Sequence, residues 1–245
     1  MQYRTLFFSA YVWFLIVFVF VCHSLIMVPL RLIIKDHAAL DYALAKWFLK
    51  MMLRFSGLRY SLKGLEHIPK EAPFILVCNH QSLLDIAVLM VGLPIRFFFF
   101  AKQELRKVPL LGANMAHEGH FFVDRSNPHK ASEQLAAVKA ALVGGGVVLV
   151  FPEGTRSFTE ELGEFKRGAF VLAAQTGLPV IPIYLNGTNR VLRKKSLVIH
   201  RGSVSVSIGE PIPYTKATQK SEEKPLTIAL AEQCREAILK LKAAG

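Results

Sequence analysis

The sequence predicts an α/β protein: a mostly parallel sheet flanked by helices, preceded by a membrane anchor of one hydrophobic and one amphipathic helix. Three observations predict it. Residues 6–30 form an almost wholly apolar run in which His23 is the only side chain able to carry charge near neutral pH. Beyond about residue 60, short apolar runs alternate with helix-length segments, the pattern that builds a parallel sheet covered by helices. Polar residues recur directly after those apolar runs, at the strand ends where an open parallel sheet binds its ligands.

The first element, 6–30, is roughly 37 Å long as a helix, enough to cross a hydrocarbon core of about 30 Å. It is longer than the apolar part of a secretion signal, and no small-x-small cleavage site follows, so it reads as an uncleaved anchor. In 38–55, Lys46, Lys50 and Arg54 recur every four residues among Trp47, Phe48, Met51 and Leu53. On a helix they form one cationic stripe. That stripe suits a helix lying beside anionic headgroups, and equally an amphipathic helix packed on the rest of the protein. Arg4 stands alone before the anchor, whereas Arg31, Lys35, Lys46, Lys50, Arg54 and Arg59 come after it. This bias keeps the chain beyond the anchor on the cytoplasmic side; a helix pair dipping into one leaflet satisfies the same facts. The expected division is an anchor over 1–58 and a second domain over 59–245.

Composition narrows the partners. Lys and Arg total 30 against 18 Asp and Glu, a net charge of +12, which favours an anionic partner. The hydrophobic fraction of 52% fits a membrane and an anionic ligand better than nucleic acid. The basic residues are not interleaved with aromatics on one evident face, and no nucleic-acid-binding motif appears. Cys22, Cys78 and Cys234 lie far apart without paired spacing and read as buried thiols, not as a disulfide framework or a zinc site.

In the second domain, strands are expected over 74–78, 95–100, 121–123, 147–151, 180–185 and 203–208. Helices are expected over 83–91, 128–142, 164–176 and 226–241. Gly144-Gly145-Gly146 and Gly177 with Pro179 stop two of these helices. The polar stretch 214–224 reads as a surface loop. His80, Lys102, Asp124-Arg125, Glu153–Arg156 and Asn186 then each come directly after a strand, five polar signatures on one sheet edge if those strands are parallel.

Two signatures carry chemistry. In Asn79-His80-Gln81-Ser82-Leu83-Leu84-Asp85, His80 and Asp85 are about 140° out of phase on a continuous helix. They meet if His80 lies in the turn before the helix and Asp85 in its first turn, with Ser82 as N-cap. Asp85 then accepts the Nδ1–H of His80 and leaves Nε2 free to take a proton. Ser82-x-x-Asp85 is also a capping box in its own right, which would make Asp85 a helix-start residue and His80 an ordinary turn histidine. Cys78 faces the core and reads as no nucleophile. In Phe151-Pro152-Glu153-Gly154-Thr155-Arg156-Ser157, Gly154 lets a ligand approach closely and Arg156 offers a fork suited to phosphate; a turn with a local Glu–Arg pair is the plainer reading. Lys102, Lys166 and Arg167 are further cations near the same edge. His117-Glu118-Gly119-His120 is no metalloprotease motif, because its histidines are three apart.

Together the two signatures closely resemble those of the glycerolipid acyltransferases, in particular bacterial-type 1-acyl-sn-glycerol-3-phosphate acyltransferases. Lys102-x-Glu104-Leu105 with Pro109, Gly112 and Phe122-Val123-Asp124-Arg125 resembles that family's second block, and Val180-Ile181-Pro182-Ile183 its fourth. The resemblance covers about residues 60–210. It implies that His80 is the general base, oriented by Asp85, and that Arg156 and Lys102 bind the acceptor's phosphate. Glu153, Gly154 and Thr155 would shape the acceptor pocket, with Ile181 and Pro182 beside the acyl donor. The implied reaction moves an acyl group from an acyl-CoA or acyl carrier protein thioester to the sn-2 hydroxyl of lysophosphatidic acid, with no metal and no other cofactor. Backbone N–H groups of the 79–82 turn are the expected oxyanion donors. The implied setting is the bacterial inner membrane, where anionic lipids are partners. Other lysolipid acceptors, such as a lyso-ornithine lipid, and a non-catalytic protein that binds anionic lipid are the alternatives.

Overall fold

The computed structural model describes residues 2–123, 128–214 and 219–244. Two helices, α1 (Gln2–Ile33) and α2 (Ala38–Phe55), precede β1 (Arg59–Lys63), β2 (Phe74–Cys78), α3 (Leu84–Gly92) and β3 (Phe98–Lys102). Then come α4 (Leu111–His117), β4 (Phe121–Val123), α5 (Pro128–Val143), β5 (Val147–Val150), α6 (Gly168–Thr176), β6 (Val180–Asn186), α7 (Thr188–Val191), β7 (Ser203–Ile208) and α8 (Lys220–Ala244). The strands form one sheet in the order β1-β7-β6-β2-β5-β3-β4. From β6 to β4 all pairs are parallel. β7 runs antiparallel to β6, and β1 parallel to β7.

The central strands are buried on both faces, so they lack polar alternation. In β2, Phe74, Leu76 and Cys78 join the core shared with α1, α2 and α3, while Ile75 and Val77 join the core under α5, α6 and α8. This is the two-residue period of a strand dividing its side chains between two layers. All five strands expected to carry polar signatures are mutually parallel. The described signatures therefore share one edge; Asp124 and Arg125 lie outside the described residues.

Several boundaries differ from expectation. β1 was not anticipated: Arg59-Tyr60-Ser61-Leu62-Lys63 alternates exposed and half-buried residues, so its apolar content is too low to stand out. The strand expected from 95 starts at Phe98, because Arg96 is held in a loop by donating to the Glu118 carbonyl at 2.9 Å and lying over the Tyr42 and Phe98 rings. The helix expected from 164 starts at Gly168, because the Lys166 N–H donates to the Pro152 carbonyl at 2.8 Å instead. Residues 220–224, expected in a loop, open α8, which runs through Pro225 and forgoes one backbone bond there. Residues 215–218 of that loop lie outside the described residues.

α1 is the described helix long and apolar enough to cross a membrane by length and composition. Its exposed face carries Phe7, Phe14, Phe18, Leu25 and Leu32. Three of its polar residues, Ser9, His23 and Ser24, are buried against the rest of the protein. Near one end, Ser9 Oγ accepts the Ile199 N–H at 2.9 Å and Trp13 Nε1 donates to the Leu197 carbonyl at 2.8 Å. Toward the other, Asn114 Nδ2 donates to Ser24 Oγ at 2.9 Å. Ser9 and Ser24 are roughly 22 Å apart along a helix, so α1 is fastened at two separated points.

The cationic stripe of α2 is divided. Lys50 and Arg54 are exposed, but Lys46 turns inward and donates to the Leu93 carbonyl at 2.5 Å, at the negative end of α3. Its place one turn after buried Tyr42 and two turns before buried Leu53 sets that direction. Between α1, α2 and the end of α4 lies a buried polar node. Asp41 meets His23 Nε2 at 3.0 Å and Arg31 Nη2 at 2.6 Å, and Glu118 meets His120 at 3.0 Å. Burial alone would raise the Asp41 carboxyl; hydrogen bonds from His23 and Arg31, with the Arg31 charge, outweigh it and hold it below its ordinary range. His23, Asp41 and Glu118 bring ligand-type atoms within 4.8 Å of one another, but Arg31 and His120 already compensate the two carboxylates.

Candidate active site

β2 ends at Cys78, and the chain turns through His80, Gln81 and Ser82 before α3 begins at Leu84. The turn is held from several sides. Asn79 imitates a strand residue: its Nδ2 donates to the Leu185 carbonyl at 2.8 Å and its Oδ1 accepts the Leu185 N–H at 2.7 Å. Ser82 Oγ donates to the Leu192 carbonyl at 2.8 Å and accepts the Leu84 N–H at 3.3 Å. Helix α3 starts one residue later than the Ser82 cap predicts, with Leu83 as cap residue.

Asp85 is fully buried. Its Oδ2 lies 2.7 Å from His80 Nδ1 and accepts the N–H groups of Gln81 at 2.7 Å and Ser82 at 2.9 Å. Its Oδ1 accepts the Thr188 hydroxyl at 2.5 Å. An oxygen that already accepts two N–H groups acts as an acceptor toward the imidazole too, so Nδ1 carries the proton and Nε2 presents a lone pair. The capping and orienting roles of Asp85 coexist in one carboxylate. The His80 ring is partly exposed and stacks on Phe151 at 4.0 Å with a 16° interplanar angle, which fixes its plane. The Cys78 thiol beneath is pushed well above its ordinary range, first by burial and then by the charges of Asp85 and Glu153. Such a thiol is inert.

The loop after β5 closes over this turn. Glu153 is buried; its Oε1 accepts the His80 N–H at 2.8 Å and its Oε2 the Gly163 N–H at 3.0 Å. The Ser157 N–H donates to the His80 carbonyl at 2.8 Å. Glu153 therefore shapes the site from beneath, as a clamp between two loops. Gly154 has φ 68°, and a Cβ there would lie 3.0 Å from Lys166 Cδ, so a side chain would be both strained and crowded. Thr155 is exposed and Arg156 half-buried. Lys102 ends β3, two strands from β2 and so roughly 10 Å away across the sheet. It is 64% exposed and pairs with Glu104 at 2.7 Å.

One expectation fails for three of the four amides of the 79–82 turn. The N–H groups of His80, Gln81 and Ser82 are all engaged by the carboxylates of Glu153 and Asp85, so they do not face a tetrahedral oxyanion. The same carboxylates that order the turn consume its donors. Sequence reasoning also missed Thr188 and Lys194. Thr188 sits in the four-residue helix α7 behind Gly187, which has φ 91°, and only that glycine signals a turn there.

The sequence profile of the Acyltransferase family matches residues 59–186, from β1 to the end of β6. The 1-acyl-sn-glycerol-3-phosphate acyltransferase of Saccharomyces cerevisiae is 37% identical over 191 residues, 77% of this chain and 62% of that protein. The human 1-acyl-sn-glycerol-3-phosphate acyltransferase beta is 32% identical over 193 residues, 78% of this chain and 68% of that protein. The chain thus spans about two thirds of the length of these curated relatives. The crystal structure of the 1-acyl-sn-glycerophosphate (LPA) acyltransferase PlsC from Thermotoga maritima superimposes with a TM-score of 0.77 at 25% identity, covering 95% of this chain and 97% of that one. With a profile match over more than half its length and an oriented His80–Asp85 pair inside that match, this chain belongs to the acyltransferase family.

Proposed function

We propose that the chain transfers a fatty acyl group from a thioester to the sn-2 hydroxyl of 1-acylglycerol-3-phosphate, giving phosphatidic acid. The observation that carries this reading is the buried Asp85 carboxylate at 2.7 Å from His80 Nδ1, next to a loop bearing Arg156. In the forward step, His80 Nε2 takes the hydroxyl proton as the oxygen attacks the thioester carbonyl carbon. The C–O bond forms, the tetrahedral intermediate collapses, and the C–S bond breaks. The departing sulfur takes the proton from the imidazolium, leaving a neutral thiol and a regenerated base. Asp85 keeps its tautomer-fixing contact throughout and offsets the imidazolium charge.

The names of the yeast, human and Thermotoga relatives support the acceptor. Arg156 and Lys102 would hold its phosphate; an exposed ion pair such as Lys102–Glu104 contributes at most about 1 kcal/mol, so Lys102 is released at little cost. Residues 1–58 serve as the anchor, the exposed apolar face of α1 meeting lipid and Lys50 with Arg54 meeting anionic headgroups. The donor is acyl-CoA or acyl carrier protein, and the site faces the cytoplasm at the bacterial inner membrane. General-base assistance contributes about 10²–10⁴-fold, so His80→Ala loses at least 100-fold in thiol release on adding lysophosphatidate, in a chain that stays folded. A variant that keeps most of its rate removes His80 as base, and a panel of lysolipids that prefers another acceptor replaces lysophosphatidate.

A further inference from the structure

The segment from Leu192 to Arg201, absent from the mechanism so far, ties three parts of the molecule together. Leu192 and Ile199 form an antiparallel bridge. The Leu192 carbonyl takes the Ser82 hydroxyl, while Leu197 and Ile199 are fastened to Trp13 and Ser9 of α1. Between these fixed points, Lys194 reaches back over the Glu153–Ser157 loop. Its Nζ donates to the Arg156 carbonyl at 2.5 Å and to Thr155 Oγ1 at 3.2 Å, and lies 4.0 Å from the Phe158 ring centroid. Lys195, next along, has φ 64°, an unfavourable conformation for a side-chain-bearing residue, and it forms the turn just after Lys194.

We infer that Lys194 is a positioning residue of the acceptor-phosphate subsite, holding the Thr155 side chain and the Arg156 backbone so that the Arg156 fork is set before the lysolipid arrives. Two further facts support this. Among the described residues no carboxylate lies in salt-bridge reach of Nζ, so no ion pair draws it away from the Arg156 carbonyl. A carbonyl and an aromatic face hold an ammonium in place without neutralising it. The strap's bonds to α1 and Ser82 fix the base of the lysine, so its tip restrains the loop.

The inference rests on the acyl-transfer reading, and the two are separable. Lys194→Met removes the donors and keeps the stem. In the full chain, in mixed micelles, it is expected to raise the KM for lysophosphatidate about 10-fold, since small misplacements of a binding group are costly, with the KM for acyl-CoA unchanged. Arg156→Ala raises the acceptor KM further. The double variant is expected to match Arg156→Ala alone, because a residue acting through Arg156 has nothing left to position. Hydrogen exchange of the 153–158 amides is expected to quicken in Lys194→Met and to return toward wild type in Lys194→Arg. Unchanged exchange overturns the inference whether or not the chain is active. An unchanged acceptor KM in Lys194→Met, or losses that multiply in the double variant, overturns it with the acyl-transfer reading intact. A wild type inert toward lysophosphatidate overturns the phosphate role together with the reading, whatever the exchange shows.

Discussion

Asp85→Asn isolates charge from shape at the centre of the site. The carboxylate accepts four hydrogen bonds, three of them at Oδ2. Asparagine can keep its carbonyl at the Oδ2 position and turn its amide toward Thr188, whose hydroxyl then accepts instead of donating. Volume and bond count are preserved, and only the charge is lost. A charge-assisted bond exceeds a neutral one by about 1 kcal/mol, so four such bonds set an upper loss of about 4 kcal/mol in stability; bonds converging on one group are not additive, and the measured loss falls below that. At the chemical step, the imidazolium loses a counter-charge whose centre lies about 4 Å away. At an effective dielectric of about 20 that is about 4 kcal/mol, or roughly 10³-fold in rate. The assay is thiol release under saturation with both substrates, alongside thermal melting in the same detergent. The expected result is a rate about 1,000-fold lower with both KM values near wild type. A folded variant retaining a tenth or more of the wild-type rate refutes the claim that the Asp85 charge stabilises a protonated His80.

The two N-terminal helices supply two further outcomes. The folded Asp41 carboxyl lies below its unfolded value of about 3.9, so its stabilising contribution is full above that value and is lost as pH falls through the folded one; melting temperature should drop below about pH 4 in the wild type and flatten in Asp41→Asn, and equal acid sensitivity of the two contradicts this. Lys46→Met should lower the melting temperature through the unsatisfied Leu93 carbonyl, a loss of about 1–3 kcal/mol, whereas Lys50→Met should leave melting unchanged and weaken binding to anionic vesicles by about 1 kcal/mol; equal effects of the two on vesicle binding would show that Lys46 faces lipid after all.

The parallel core was legible because buried strands are dense in Val, Ile and Phe, and because Gly144–Gly146 and Gly177 mark where helices stop. His80 and Asp85 were legible because their partnership is local, five residues within one turn. β1 was not, since an edge strand needs few apolar residues and its partner β7 is some 140 residues away, a pairing that carries no local signal. Thr188 and Lys194 stayed hidden for the same reason. Each meets its partner across the fold, in a segment whose composition is that of an ordinary polar loop. Lys46 misled in the opposite way, because a regular four-residue spacing of cations does not say which side of the helix the protein occupies. The 80–82 amides looked available until the two carboxylates that take them were placed.

The two-point fastening of α1 has a mechanical consequence. A helix hinged at one end can tilt without moving its cargo, but one pinned at Ser9 and again at Ser24 moves with the body that carries His80 as a single rigid piece. On the proposed function, the height of the imidazole above a lipid layer is set by how deeply α1 sinks, and an incoming lysolipid would slide sideways to it without being lifted clear of its neighbours.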